Sequence, residues 1–499
     1  MRTQLTDLAV CALVLTLGAK VYGEERAGGT TRDLYTTPPS QATGSPGLVN
    51  EWLRAQGTNL NAWDLGAQFR ARYEIKEDGG SFPNRDFRAN GVDNDNSYLL
   101  LREKIHIGYT PCSWFTILAE GRDSSSTGDD RDPNPEADQF DLHQGFVTLG
   151  DAAKFPFTAK IGRQELIYGD ERLVGNGDWG NIPRAFDAAK LRWAKPGIGW
   201  VDAFAGRVVL PVNHQFNVPN DYDWFSGLYA STTRVPRQET QLYFLSRNAS
   251  AQAATAVSGS LVGLPSPRDI YTLGLRVKSL PGQWHGWDYT AELDGQLGSI
   301  NVPVPGVGPR RLDHEALAAS VAGGYTWTKA FAVPRLGLEY NFASGDRDST
   351  DGKNETFDNL FPTNHKHYGY MDFVGWRNLH NLRLTTAIKP VKTLSLTLDY
   401  HLFWLADTHD FFYPESGPGR GASGPTVPGE PASYGRNPQF NGFIGSEIDL
   451  DATWTIKPWV VVRTGYGHFF AGDYVRSSLS SVGGATDADW VYVQATVSF

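Results

Sequence analysis

A chain of 499 residues with a formal net charge of −10 has the wrong sign for a nucleic-acid-binding surface. Aromatic residues make up 12% of it and Gly reaches 54, yet the mean hydropathy is −0.37. Beyond the N-terminal segment no apolar run approaches the roughly 20 residues that a membrane-spanning helix needs, so helical membrane proteins are excluded.

Read from its start, the chain places Arg2 before an apolar stretch from Leu8 to Leu17, and Ala19-Lys20-Val21-Tyr22-Gly23 before the charged Glu24-Glu25. A basic start, a short apolar core and small residues before a charged break predict a signal peptide over residues 1–23, too short to span a membrane. Cys11 falls inside it, preceded by Val10, a poor lipoprotein context, and Cys112 is left as the mature cysteine, so no intramolecular disulfide is expected. Residues 24–60 read as a periplasmic N-terminal extension. Thr37-Pro38-Pro39-Ser40 and Ala42-Thr43-Gly44-Ser45-Pro46-Gly47 are loop signals, and 49–55 has the pattern of a short helix. The extension is too small for a folded plug domain, which argues against a TonB-type receptor.

Residues 61–499 read as an all-β domain, a transmembrane antiparallel β-barrel. In its first segment Leu65, Ala67, Phe69, Ala71, Tyr73 and Ile75 share one face, while Gln68, Arg70, Arg72, Glu74 and Lys76 share the other. A soluble sandwich would alternate in the same way, but the connections separate the two cases. Short joints recur at 109–113, 150–156, 194–199, 231–238, 279–286, 328–334, 389–393 and 457–459, most with Pro or Gly. Long polar segments alternate with them at 77–97, 123–138, 167–183, 344–378, 406–441 and 471–487. Short periplasmic turns and long extracellular loops are how outer-membrane barrels are built, and the spacing predicts about eighteen strands with both ends periplasmic. In the last strand Val491, Val493, Ala495, Val497 and Phe499 alternate with Tyr492, Gln494, Thr496 and Ser498. A final strand ending on Phe looks like the signal read by the barrel-assembly machinery of Gram-negative bacteria, so Phe499 is expected to act in assembly.

Strand parity assigns water-facing positions to Arg70, Arg72, Arg102, Lys104, Arg122, Lys190, Arg192, Arg276, Lys278, Arg383 and Arg463. It also turns Glu74, Glu120, Asp288, Glu292, Asp294, Glu339, Asp399, Glu447, Asp449 and Asp451 inward. Guanidinium forks match carboxylates, and a charged ring in a pore selects ions by sign, so the basic set is the candidate substrate wall. A mixed wall also simply holds a barrel in order. Glu103 falls on the lipid parity of Leu101 and Ile105, where a carboxylate is costly, which predicts a bulge or a shifted register there. His365 and His367 suggest either a metal pair or, more in keeping with the surrounding composition, a solvated loop. The carboxylates Asp93 and Asp95 and those within 346–351 lack the ordered spacing of a Ca²⁺ loop. Ser and His are too scattered to pair as nucleophile and base, so no catalytic residue, metal or cofactor is expected.

Several stretches resemble the alginate-export family of outer-membrane proteins. One runs from Ile161-Gly162-Arg163-Gln164-Glu165 through Gly169-Asp170-Glu171-Arg172 and Trp179-Gly180-Asn181 to Arg184-Ala185-Phe186-Asp187. Others are Tyr340-Asn341-Phe342-Ala343-Ser344-Gly345-Asp346, Phe357-Asp358-Asn359-Leu360-Phe361-Pro362, Gly375-Trp376-Arg377-Asn378, Tyr400-His401-Leu402-Phe403-Trp404 and Gly465-Tyr466-Gly467-His468-Phe469-Phe470. The resemblance implies an eighteen-stranded monomeric barrel that passes an acidic polysaccharide outward through an Arg-lined constriction, with a periplasmic polysaccharide-export complex behind it. Arg163, Arg172 and Arg184, near the end of the fifth strand and in the loop after it, would either hold that loop in the pore or touch substrate. Three classes remain open: an exporter or selective channel for an anionic polysaccharide or other anionic solute, a general or differently selective diffusion porin, and a sleeve or enzyme barrel. The expected partners are outer-membrane lipid and lipopolysaccharide, the assembly machinery and the export complex, with no nucleic acid.

Overall fold

The computed structural model describes residues 48–499 apart from 58–59, 81, 90–92, 133, 252–266, 305–307, 416 and 423–433. The signal peptide expected over 1–23 and most of the extension at 24–60 lie outside the described residues. A short helix, α1 (Leu48–Gln56), docks on the start of the first strand: Asn50 donates to the Asp64 carboxylate at 2.6 Å and accepts from the Leu65 amide at 2.9 Å.

Alternating residues make the strands, and Pro, Gly and polar clusters end them. In chain order they are β1 (Trp63–Glu77), β2 (Asn96–Cys112), β3 (Phe115–Thr127), β4 (Asp138–Leu149), β5 (Phe157–Gln164), β6 (Phe186–Lys195), β7 (Gly199–Leu210), β8 (Val218–Thr232) and β9 (Gln238–Ala249). There follow β10 (Arg268–Ser279), β11 (Trp287–Val304), β12 (Gly308–Thr326), β13 (Arg335–Ala343), the two-residue β14 (Lys353–Asn354), β15 (Leu379–Val391), β16 (Leu394–Leu405), β17 (Phe443–Lys457), β18 (Val460–Ala471) and β19 (Ala488–Ser498). Each wall strand pairs antiparallel with its neighbours, and β1 pairs with β19 from Gln68↔Ser498 to Glu77↔Asp489, so the sheet closes. The exception is β14, which lies in a loop and bridges β12 in parallel. Without it the wall is a closed eighteen-strand antiparallel barrel. Phe499 extends the seam, its amide donating to the Ala67 carbonyl at 2.8 Å.

The outer face carries Ile105, Ile107, Leu228, Leu273, Leu297, Val321 and Leu338, all exposed, as lipid requires. Aromatic pairs such as Trp63–Tyr109, with ring centroids 4.5 Å apart, and Trp287–Tyr325, at 5.0 Å, gather at the short-turn end. Glu103 departs from expectation. Register runs unbroken through Phe69↔Glu103 and Glu103↔Asp123, so no bulge turns it away and it faces outward, exposed, beside another outward acid.

All eight short joints lie at one end, where exposed Cys112 also sits. The other end holds the long loops, together with the β7–β8 and β9–β10 ends, whose connections parity and composition did not mark; the paired ends of β11 and β12, Val304↔Gly308, lie there too. The loop half of the bore is filled. Val174, Phe361, Tyr368, Trp376, Phe412 and Tyr474 from the loops join Phe186, Phe204, Phe225, Ile270, Phe403 and Phe469 of the wall in one apolar cluster. Burying these rings against each other removes apolar area from water, the largest favourable term available to the loops.

Candidate functional site

Register stacks the inward side chains of β1 and β2 in steps. From the turn end upward these are Gln68 beside Lys104, Arg70 beside Arg102, Arg72 beside Leu100, Glu74 beside Tyr98, and Lys76 beside Asn96. Arg70, Arg72 and Arg102 therefore face the lumen as parity predicts, yet all three are buried. What covers them is the connection at 165–185 between β5 and β6.

That loop crosses the bore as a bar. One anchor is on the β7–β13 side. Arg276 grips Asp170 with two hydrogen bonds, at 2.5 and 3.1 Å. Tyr168 stacks on Tyr229 and Phe204, with centroids 4.5 and 5.4 Å away, and its hydroxyl donates to Asp202 at 2.8 Å. Arg172 donates to Glu339 at 2.8 Å and to the Tyr368 hydroxyl at 3.0 Å. The other anchor is on β1–β3, and since β10 is nine places from β1 in the ring, the two stand on opposite walls. Arg70 donates to the carbonyls of Asp178 at 2.7 Å and Gly180 at 2.8 Å. Arg72 donates to the Trp179 carbonyl at 2.6 Å and to Glu74 at 2.7 Å. Arg102 reaches the Asp178 carbonyl at 3.2 Å and its carboxylate at 3.0 Å. Asn181 completes the anchor by donating to the carbonyls of Leu101 and Ser125 at 3.0 and 3.1 Å.

Trp179 locks the bar to the loops above. Its ring lies under the Arg72 guanidinium at 3.8 Å, stacks on His365 at 4.0 Å and meets Tyr492 edge-on at 5.0 Å. His365 is thus buried in the plug, where it bonds Asp372 at 3.0 Å, and is neither in a solvated loop nor beside a second metal-ligating histidine side chain. His367 points elsewhere, its Nε2 against the Asp170 carbonyl at 2.8 Å. Burial, with Arg72 and Arg463 nearby, pushes the His365 imidazole well below its ordinary value and keeps it neutral. Among the described residues no group of three or more His, Cys, Asp or Glu is arranged to hold a metal ion.

The remaining basic residues divide by location. Arg122 pairs with Asp138, Arg383 with Asp399 at 2.5 Å, and Arg463 with Asp451 at 2.9 Å. Arg192 donates to Asp202 at 2.5 Å and lies over Trp200, while Lys190 approaches the same carboxylate at 3.8 Å. Lys160, which parity reading passed over, stands opposite Lys190 on the inner face, and Lys278 faces the lumen beside Arg276. Arg184 donates to the carbonyls of Gly175 at 2.5 Å, Phe361 at 2.8 Å and Pro362 at 3.1 Å, tying two loops together. Arg163 does not enter the pore. It shares the outer parity of Phe157 and Ile161, and pairs with outward Asp187 at 2.8 Å under the Asn217 carbonyl. Sequence reading missed Asp170 and Asp178, carboxylates through which the bar meets its opposite walls. Their only local signal is the polar run around them.

Beyond the bar, toward the loop end, lies a cavity of about 220 Å³ bounded by Glu74, Lys76, Tyr98, Trp179, His365 and Asp372. On the turn side the lumen is polar, with Lys104, Glu120, Gln144, Lys160 and Lys190 partly exposed to it.

No curated protein matches this chain. Solved structures with a similar fold include Acinetobacter baumannii OccAB1 (12% identity, covering 87% of this chain and 96% of that one, TM-score 0.54) and Pseudomonas aeruginosa OccD3 (12%, 88% and 91%, 0.53). Pseudomonas aeruginosa OpdK, solved with vanillate, is 13% identical over 87% of this chain and 98% of that one, with a TM-score of 0.51. The likeness at these identities is one of fold, to barrels of the porin type. The alginate export family model matches residues 62–488. Because that match runs from the start of the first strand to the start of the last, this chain belongs to the alginate export family, whose closed barrel is an integral channel of the outer membrane.

Proposed function

We propose that the channel is selective for anionic, carboxylate-bearing solutes, with an acidic polysaccharide as the substrate class that best suits the family. One observation carries this reading: at the constriction the cations outnumber their neutralising partners. Arg70, Arg72, Arg102 and Lys104 stand on two adjacent strands, and the hydrogen-bond acceptors of Arg70 are the carbonyls of Asp178 and Gly180 and the amide oxygen of Asn181, all uncharged. A carbonyl dipole orients a guanidinium but leaves its charge to act on the pore. A signal peptide over 1–23, an extension over 24–60, a monomeric barrel and a periplasmic export complex as delivery partner accompany this reading.

A differently selective porin is the second reading, favoured by the paired state of Arg122, Arg192, Arg276, Arg383 and Arg463. Reversal potentials in planar bilayers with a KCl gradient separate the two, with polyuronate added as a blocker. Anion preference that fades as salt rises, with block by polyuronate, supports the proposal. Cation preference at low salt overturns it.

A further inference from the structure

The bar at 165–185 brings one of its own carboxylates to the constriction. Asp178 lies 3.0 Å from Arg102 Nη1 and 3.5 Å from Lys104 Nζ, on two adjacent steps of the β1–β2 stack. Its side chain is 52% exposed, while Arg102 is 2% exposed and the Lys104 side chain 13%. A half-exposed carboxylate on two nearly covered cations is the geometry of a ligand seated at the mouth of a site. At the start of the bar Glu165 approaches Lys104 at 3.9 Å and bonds His143 at 2.8 Å. Along 178–181 Asp178 is the one charged side chain, and Trp179, Gly180 and Asn181 contribute only carbonyl and amide groups to this wall. The Nε–H groups of Arg70 and Arg102 find no acceptor among the described residues, so the cluster has donor capacity beyond what the bar uses.

The other face of the same segment borders the loop-side cavity, which is lined by Gly177, Trp179 and Gly180 together with Glu74 and Lys76, two and three steps higher on β1 than Arg70. Residues 177–180 therefore separate the polar turn-side lumen from that cavity. On this wall the contacts holding them are of the kind a competing anion can exchange: the ion pairs of Asp178 with Arg102 and Lys104 and a few hydrogen bonds from guanidinium groups to carbonyls, while the Trp179 ring stays packed on His365 and Tyr492.

We propose that Arg102 and Lys104, with Arg70 beside them, form a carboxylate-binding site occupied in this structure by the chain's own Asp178, and that a carboxylate of the transported solute takes the site by displacing Asp178 and freeing residues 177–180. The solute is its own key: the group recognised at the constriction also unlatches the bar. This rests on the anion-selective reading above and adds its regulation. Burial pushes the Asp178 carboxyl up, but Arg102, Lys104 and Arg70 outweigh it and hold it well below the ordinary carboxylate range, so the latch stays charged throughout physiological pH.

The test uses the full-length barrel in planar bilayers, each variant first checked for the heat-modifiable gel shift of a folded barrel. Asp178→Asn removes the occupant and keeps the site. It is expected to raise the open fraction about three- to fivefold, the size of one partly exposed ion pair, to strengthen anion preference, and to lower the trigalacturonate concentration that half-blocks current. Asp178→Glu should restore wild-type behaviour. Lys104→Gln also loosens the latch but damages the site, so its open fraction rises while anion preference and trigalacturonate block fall. If Asp178→Asn conducts, selects and blocks as wild type does, the latch is wrong even when the wild-type channel is anion-selective. A cation-selective wild type defeats the underlying reading instead. If Asp178→Asn and Lys104→Gln open equally and both lose trigalacturonate block, the segment is only a structural brace and the binding site is overturned.

Discussion

The two anchors of the bar use the same residue type to opposite electrostatic ends. On β10 the Arg276 guanidinium closes on the Asp170 carboxylate and both charges are spent on each other, with the Tyr243 hydroxyl 2.6 Å from both Glu292 and Asp294 nearby. On β1 and β2 the guanidinium groups close mainly on carbonyls, and their charge persists. On the proposed reading one anchor holds and the other selects, a distinction that depends on what the loop brings rather than on what the wall displays.

The largest effect should come from breaking the holding end. Arg276→Gln leaves Asp170 buried without its cation, and such uncompensated charges cost about 3–5 kcal/mol. Limited proteolysis of the folded barrel should then show cleavage within 165–185 that the wild type resists. Breaking the selecting end should act on selectivity first: Arg70→Gln keeps a donor for the carbonyls but removes the charge, so the reversal potential should shift toward cations with loop protection largely retained. A cost near 1 kcal/mol, that of an ordinary hydrogen-bond change, is expected there. A smaller, pH-dependent effect sits in the plug. Burial and neighbouring Asp410 push the Asp346 carboxyl up to about 6, and its amide donates to Asp410 at 3.0 Å. The folded state holds the Asp346 proton more tightly than the unfolded chain, so the plug loses stability as pH rises from about 4, the ordinary carboxylate value, toward 6. Protection of the 344–357 amides, measured by hydrogen exchange relative to the intrinsic rate at each pH, should be lower at pH 7 than at pH 4.5, and Asp346→Asn should flatten the difference. The smallest change concerns the seam: deleting Phe499 removes one backbone hydrogen bond and a half-exposed ring, and should lower the yield of heat-modifiable barrel without altering the selectivity of what assembles.

Much of the wall was legible because a strand writes its geometry locally. Parity alone turned Arg70, Arg72, Arg102 and Arg383 inward, and Pro or Gly marked most of the eight turns. The connection at 211–217 escaped because Val208-Val209-Leu210-Pro211-Val212 reads as continuous apolar chain. The plug was illegible for a different reason. Arg184 meets Phe361 across 177 residues and Arg172 meets Tyr368 across 196, and no periodicity encodes a partner that distant. A signal did exist: Phe204, Phe225 and Tyr243 point inward on strands whose outer faces are also apolar, and a strand that is apolar on both faces must be covered on both. His365 misled because the polar composition around it described its neighbours rather than its own burial. Arg163 misled because its strand turns it outward where the loops overhang the rim.

That the apolar filling is made of the chain's own loops bears on the order of assembly. Glu74 on β1 accepts the indole N–H of Trp490 on β19 at 2.9 Å, across 416 residues, so the ring around the filling is complete only when the last strand arrives. Until then Trp376 and Phe361 have no enclosed surface to pack on, and their burial cannot guide the early strands together. The wall must draw its cohesion from neighbour-to-neighbour hairpins, and the loops condense inside a vessel already shaped. Heating should reverse the sequence in two stages, with the filling melting into the bore while the hydrogen-bonded ring still stands.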